Sequence, residues 1–276
     1  MKRILTVPDI SCVGKCSLTV ALPIISAMGV ECAILPTAVL STHTMFRGYT
    51  FRDLTDDLGG IIDHWVREGL DFCAVYTGYL GSQEQLDTVA RLFDTYKSAY
   101  RIVDPVMADN GKLYPGFTEE FARNMAALCA KADIILPNMT EASFMLGVPY
   151  VGANYDEAYV RDMLKKLAAL GPKIAVLTGV SLAEGKLGVM AYDSEKDTYF
   201  YYCREHLPAS FHGTGDIFAS AFTGALTECD DVEEALRVAT DYTVECISLT
   251  LKNPEHVNYG VEFERAIPYL CKRIKK

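Results

Sequence analysis

Gly213-Thr-Gly-Asp216 heads a stretch that is small and apolar almost throughout, Ile217-Phe-Ala-Ser-Ala-Phe-Thr-Gly-Ala-Leu226. A helix that is apolar on nearly every side is buried, so its first turn starts inside the protein. That turn has unpaired N–H groups and the positive end of the helix dipole, and glycines let the backbone close on a ligand with no Cβ in the way. The chemistry this suits is anion binding, with the amides of Gly213, Thr214 and Gly215 as donors. Asp216 sets a conflict, because a carboxylate repels the anion that such a turn would hold. It reads either as an N-terminal cap or as a base held beside a phosphate.

Other polar groups follow apolar runs of strand length. Asp104-Pro-Val-Met-Ala-Asp109 comes after Arg101-Ile-Val103, and Pro105 restricts the backbone that aims Asp104. Two acids so spaced are either solvated loop residues or holders of Mg²⁺, which takes one or two carboxylates along with waters and phosphate oxygens. Ser41-Thr-His-Thr44 brings hydroxyls and the His43 imidazole to a strand end; His43 is a site residue or a hydrogen-bonded structural one. Thr77-Gly-Tyr-Leu-Gly81 ends another strand, Thr178 another, and Pro137-Asn-Met-Thr-Glu141 opens a helix with Asn138 or Thr140 as its cap.

The elements that must position these groups alternate. Strands are expected at 4–7, 32–35, 37–40, 72–76, 101–103, 133–136 and 173–179, with a hairpin over 187–192 and 198–203. Helices are expected at 15–28, closed by Gly29, and at 54–66, 83–96, 117–130, 157–170, 232–251 and 261–273, with Pro268 kinking or splitting the last. No linker, repeat or low-complexity tract interrupts the pattern. It predicts an α/β fold: one domain over residues 1–276, with a mostly parallel central sheet flanked by helices, and ligands at the carboxyl ends of the strands. No Gly-x-Gly-x-x-Gly follows a strand, which disfavours a dinucleotide-binding oxidoreductase. Gly14-Lys-Cys-Ser17 is not a phosphate loop, since no glycine stands five residues before Gly14.

The net charge of −10 argues against nucleic acid or an anionic membrane as the main partner. Nine scattered cysteines with no Cys-x-x-Cys pair fit a reducing compartment, most of them as small buried hydrophobes. The N-terminal apolar run is too short for a signal peptide or a membrane span, and the cytoplasm is the expected location.

Taken in order, Ser41-Thr-His-Thr44, Thr77-Gly-Tyr-Leu-Gly81, Asp104-Pro-Val-Met107, Pro137-Asn-x-x-Glu141, Gly171-Pro172 before a strand, and Gly213-Thr-Gly-Asp216 resemble the ribokinase superfamily and, within it, the pyridoxal/pyridoxamine kinases. The resemblance implies a ribokinase-like three-layer sandwich, usually a homodimer, that uses ATP to phosphorylate the 5′-hydroxymethyl group of pyridoxal, pyridoxine or pyridoxamine. Asp216 then resembles the catalytic base, and the amides of Gly213, Thr214 and Gly215 its anion hole. Asp104, Asp109, Asn138 and Glu141 resemble the residues around Mg²⁺ and the phosphates, with Asp104 and Glu141 toward the metal and Thr178 near the nucleotide; a K⁺ requirement stays open. Thr44 and Tyr79 resemble residues that contact and cover the pyridine ring, with His43 beside them.

The first loop, Asp9-Ile-Ser-Cys-Val-Gly14, is compressed against the kinases' pattern, in which a serine reaches the ring. Either Asp9 or Ser11 could take that role, and Asp9 near a cationic group of the substrate would favour pyridoxamine. Two alternatives stand beside this reading. One is a hydroxymethylpyrimidine kinase of the same superfamily, although those enzymes often carry Cys where this chain has Asp216. The other is a vitamin B6 binder without turnover. The interval from Leu5 to Thr44 leaves no room for the β-lid of the superfamily's sugar kinases.

Overall fold

The computed structural model describes residues 1–274. In chain order the first elements are β1 Arg3–Val7, β2 Ile10–Ser11, α1 Leu18–Ala27, β3 Glu31–Ile34, β4 Ala38–Leu40, β5 Phe51–Asp53, α2 Thr55–Arg67 and β6 Ala74–Thr77. Then come α3 Gln83–Thr95, β7 Tyr100–Val103, β8 Ala108–Asp109, β9 Lys112–Leu113, α4 Glu119–Cys129, β10 Ile134–Ile135, α5 Met139–Leu146 and α6 Glu157–Ala168. The last are β11 Ile174–Val180, β12 Lys186–Asp193, β13 Thr198–Glu205, α7 Thr214–Cys229, α8 Val232–Leu251 and α9 Phe263–Ile274. The chain clusters into two compact units, Met1–Gly78 with the chain from Leu207 onward, and Tyr79–His206.

In the first unit β1 pairs in parallel with both β3 and β6, Leu5 standing opposite Ala33 on one side and Val75 on the other. Ile4, Leu5, Val7, Ala74 and Val75 are wholly buried, as strands covered on both faces require. Helix α7 packs against α1 and α8. Every residue from Ile217 to Thr227 is buried, which bears out the helix read as apolar all round, but its first turn does not start inside the protein as expected: Gly215 is exposed and Gly213, Thr214 and Asp216 are half-buried. A second sheet was not anticipated: β2 pairs in parallel with β4, and β4 antiparallel with β5. The strand expected at 37–40 is β4, but its partners were not foreseen, and the interval before Thr44 thus holds part of a small sheet of its own. Two of its three strands lie in that interval, and the third is an exposed Phe-Arg-Asp that carries no apolar alternation to announce it.

The second unit has β7, β10 and β11 in parallel and then the β12–β13 hairpin, antiparallel as expected. Helix α6 packs on β11 and β12. The α/β class with mostly parallel strands is thus the one found. A short β8–β9 hairpin falls where a loop was expected, joined through Asn110 and Gly111, both at positive φ. Pro268 does not split α9, whose buried stripe of Phe263, Ala266 and Leu270 carries it through as one helix. The reading of the cysteines holds in part. All nine are free, but Cys12 and Cys229 are exposed and only Cys16, Cys129 and Cys246 are buried. Among the described residues no helix is long and apolar enough to cross a membrane.

The strand ends of the second unit are held by one clasp. The Arg101 guanidinium donates to both oxygens of Asp133 at 2.8 Å, and the Arg101 amide donates to one of them at 3.0 Å. Burial alone would raise the Asp133 carboxyl, but these donors outweigh it and hold it below the ordinary carboxylate value. A depressed folded-state value stabilises the fold above the unfolded value and is lost as pH falls through the folded one. Arg101→Met should therefore cost about 1–2 kcal/mol at neutral pH. The gap in melting temperature from the parent protein should narrow below about pH 4, and a gap of full size at pH 3 would sink this account.

Candidate active site

The start of α7 differs from the other capped helices. Ser82, Thr118, Asn138, Asp156 and Asp231 each accept a hydrogen bond from their helix's first turn. Helix α7 instead begins at Gly213 in the left-handed conformation, φ 79°, with no side-chain cap. The glycine is obligatory for a second reason, since a Cβ there would lie 1.8 Å from the Lys15 carbonyl oxygen. Gly215 faces open space. Asp216 is therefore not the cap that its four-letter setting allowed; it stands in the third helical position behind an uncapped first turn whose amides have no intrahelical acceptor.

Asp216 has its own donor. The backbone amide of Ser17 hydrogen-bonds to its carboxylate, against burial and the charge of Asp9. Burial is the largest of the three, and the Asp216 carboxyl is pushed up to about 7. Asp9 and Ser11, offered by the sequence as ring contacts, are 5 % and 2 % exposed. One Asp9 oxygen accepts the Ser17 hydroxyl at 2.6 Å, the other the Ser11 hydroxyl at 3.3 Å. Burial raises the Asp9 carboxyl and the two hydroxyls oppose it. Neither Ser17 nor the rest of Lys15-Cys-Ser17 was singled out as functional. Ser17 has φ 54° and ψ −137°, a region L-residues avoid, and nothing in a serine's identity announces it.

The loop after β4 holds the other predicted acceptor contacts of this unit. The His43 amide donates to the Val13 carbonyl at 2.8 Å, and its Nδ1 accepts from the Met45 amide at 3.1 Å. Its ring lies 5.0 Å from that of His212, which directly precedes Gly213. Burial, then His212, lowers the His43 pKa, which favours a neutral imidazole. Thr44 is exposed beside it.

In the second unit Asp104 follows β7 directly and is 7 % exposed. Glu141 is 2 % exposed, and its two oxygens accept the amides of Met107 at 3.0 Å and Asn138 at 2.9 Å. Asn138 completes a capping box: its Oδ1 accepts the Glu141 amide, while its Nδ2 donates to the Ala108 carbonyl. Asn138 and Glu141 are thus the frame of α5 before they are anything else. Burial, and then the charge of Asp109, lift the Glu141 carboxyl to about 7 against those amides. Glu141 and Asp104 also both act on the buried Cys129 thiol, so they share one neighbourhood. Asp109 is exposed and turns its carboxylate to Asn110. Thr178 bridges to Asn138 in parallel register. Tyr79 is half-buried with its ring 5.6 Å from Phe117, which stacks on Phe121 at 4.4 Å. Neither phenylalanine was anticipated, since both sit at a helix entrance and carry no motif.

Among the described residues no three His, Cys, Asp or Glu side chains could hold a metal by themselves. A magnesium ion taking one or two carboxylates and completing its shell with phosphate oxygens fits better. The burial and the Asp109 charge that lift the Glu141 carboxyl are also what a nearby divalent cation would relieve.

Comparison with known proteins finds kinases. The family profile described as phosphomethylpyrimidine kinase matches residues 22–261, which includes Asp104, Glu141 and Asp216. A provisionally assigned phosphomethylpyrimidine kinase from Bacteroides thetaiotaomicron, solved with pyridoxal, is 37% identical with a TM-score of 0.91, over 98% of this chain and 95% of that one. The pyridoxal kinase from Lactobacillus plantarum is 31% identical with a TM-score of 0.90, over 99% and 97%. The pyridoxal kinase PdxY of Granulibacter bethesdensis is 29% identical over 253 residues, 86% of each chain. The resemblance to pyridoxal kinases and the ribokinase-like fold are borne out, and the chain belongs to the phosphomethylpyrimidine kinase family.

Proposed function

We propose that the whole chain is one kinase domain that transfers the γ-phosphoryl group of ATP to the 5′-hydroxymethyl group of a vitamin B6 vitamer, giving the 5′-phosphate and ADP. The observation that carries this reading is the place of Asp216, half-buried in the uncapped first turn of a helix that is buried from Ile217 onward, with its carboxyl raised to about 7 chiefly by burial. A base needs a pKa near the working pH, and the open amides beside it suit the phosphoryl group in flight. Asp216 accepts the acceptor's hydroxyl proton as that oxygen bonds to phosphorus, and the bond from phosphorus to the β,γ-bridging oxygen breaks to release ADP. Amides at 213–215 take up charge on the transferred group, and in-line positioning supplies much of the rest.

In the second unit Asp104 and Glu141 would hold Mg²⁺ through its phosphate-bound form, with Asp109, Asn138 and Thr178 on the nucleotide side. Bound there, the ion would neutralise charge on the β- and γ-phosphates. His43, Thr44 and Tyr79 are the ring contacts, and Phe117 braces Tyr79. A homodimer and the cytoplasm are the assembly and location that go with this reading. A Bacillus subtilis relative named hydroxymethylpyrimidine/phosphomethylpyrimidine kinase, 28% identical over 189 residues, favours a second one, a hydroxymethylpyrimidine acceptor, and Asp216 rather than Cys at the base position speaks for the B6 vitamer.

ADP release measured with pyridoxal, pyridoxamine, pyridoxine and hydroxymethylpyrimidine in parallel decides between them. Turnover on a vitamer should fall by about 10² or more in Asp216→Asn, the range for a lost general base. Activity on the pyrimidine alone would transfer the protein to the second reading, and tight vitamer binding without ADP release would make it a binder.

The same base predicts a pH dependence. Asp216 works as the carboxylate, and its value lies at about 7, so kcat/KM for the vitamer should fall roughly tenfold per pH unit below that. A flat profile down to pH 5 would remove Asp216 from the proton transfer.

A further inference from the structure

We infer that Asp9 is a positioning residue for Asp216, acting through Ser17, and not a contact to the substrate. The inference rests on the reading of Asp216 as the base, and deepens it.

Four observations within the first unit carry it. Asp9 is buried, and each of its oxygens already accepts a hydroxyl, Ser17 at 2.6 Å and Ser11 at 3.3 Å. Its own carbonyl accepts the Leu18 amide at 3.1 Å, so Asp9 holds Ser17 by the side chain and by the next peptide. Ser17 sits at φ 54°, ψ −137°, a conformation close to glycine-only space that a serine leaves unless it is held. In that conformation its carbonyl starts α1 by accepting the Val20 and Ala21 amides, and its own N–H is left for the Asp216 carboxylate. The chain of cause runs from the Asp9 carboxylate to the Ser17 backbone angle, and from that angle to the one amide that orients Asp216 and favours its charged form. Two titratable groups face Asp216: Asp9 itself, whose charge raises the Asp216 carboxyl against the Ser17 amide, and the Cys16 thiol, which burial holds protonated.

A serine that has to be held and a glycine that does not should therefore behave differently. Ser17→Ala loses the hydroxyl and cannot rest at this φ, so its amide turns away. Ser17→Gly loses the same hydroxyl but adopts the conformation freely and keeps the amide. Kinetics with ATP and pyridoxal on the full chain test this, with circular-dichroism melts to report folding. Ser17→Ala should lower kcat about tenfold, the scale of one hydrogen bond to a charged group, with the pyridoxal KM within about twofold. The acid limb of its kcat/KM profile should move to higher pH, because the charged base has lost a donor.

Ser17→Gly should recover most of kcat and return the acid limb toward that of the parent. Asp9→Ala should cost about as much kcat as Ser17→Ala in the parent, and little more when added to Ser17→Gly. Equal impairment of Ser17→Ala and Ser17→Gly would overturn the proposal. So would a rise in pyridoxal KM from Asp9→Ala that is the same in both backgrounds, since a substrate contact does not depend on residue 17. Should Asp9→Ala fail to fold, the Ser17 pair alone decides. Asp216→Asn at parental turnover would instead remove the base reading itself, whatever the Ser17 variants do.

Discussion

The close approach of the Lys15 backbone to Gly213 is the constraint on which the first unit's chemistry depends. A carbonyl oxygen where any other residue would put its Cβ leaves no choice but glycine at the head of α7. The same residue is fixed from other sides. The Lys15 ammonium pairs with Glu264 and lies 5.3 Å from the Phe263 ring, while its Cβ fills the space over Gly260. Lys15 is thus a wedge between the first loop, the start of α7 and the start of α9. Once it is in place, Ser17 is carried to Asp216, and the strain of a serine near the glycine-only region, about 1–3 kcal/mol, is offset by the bonds that Asp9 makes.

The second unit solves a related problem by different means. Its acids are presented by a capping box, in which Asn138 and Glu141 satisfy each other's backbone amides while Glu141 also takes the Met107 amide from the loop after β7. A buried carboxylate with this many donors would ordinarily titrate low. Burial outweighs them here, and Glu141 comes out near neutrality. A group balanced in this way responds to any added charge nearby, whether a cation or a phosphate, far more than a surface acid would.

How much of this could be read in the sequence follows the range of the forces involved. The parallel strands and long helices were legible because apolar runs and periodicity are local, and α8 falls on its expected residues. The cap of α5 was legible as Asn138 or Thr140, because capping is local, and the capping box with Glu141 settles it on Asn138. The β2–β4–β5 sheet was not, because a two-residue strand and an exposed Phe-Arg-Asp exist only through partners far along the chain. At Asp216 the four-letter pattern left a cap and a base both open, and only the left-handed Gly213 and the Ser17 amide decide that it is not a cap. Ser17 itself was illegible: serine before a helix ordinarily reads as a side-chain cap, and this one turns its hydroxyl back to Asp9 instead.

The division of labour also explains why acceptor identity is the least constrained part of the reading. Pyridoxal and hydroxymethylpyrimidine are both flat nitrogen heteroaromatics with a primary hydroxyl, so a base and amides at the start of α7, in the roles proposed for them, would serve either. Selection between them falls to groups that meet the ring edge. A pocket that hydrogen-bonds a substrate's polar group rejects the analogue lacking it far more strongly than an apolar wall can. On the proposed reading the polar groups of the first unit that discriminate are the His43 imidazole, whose pKa burial lowers, and the Thr44 hydroxyl. Both sit on the loop after β4, whose backbone is anchored by the His43 amide on the Val13 carbonyl. On that reading the start of α7 serves the phosphoryl transfer, while the choice of acceptor rests on a loop, the part of a fold that changes at least cost to the scaffold.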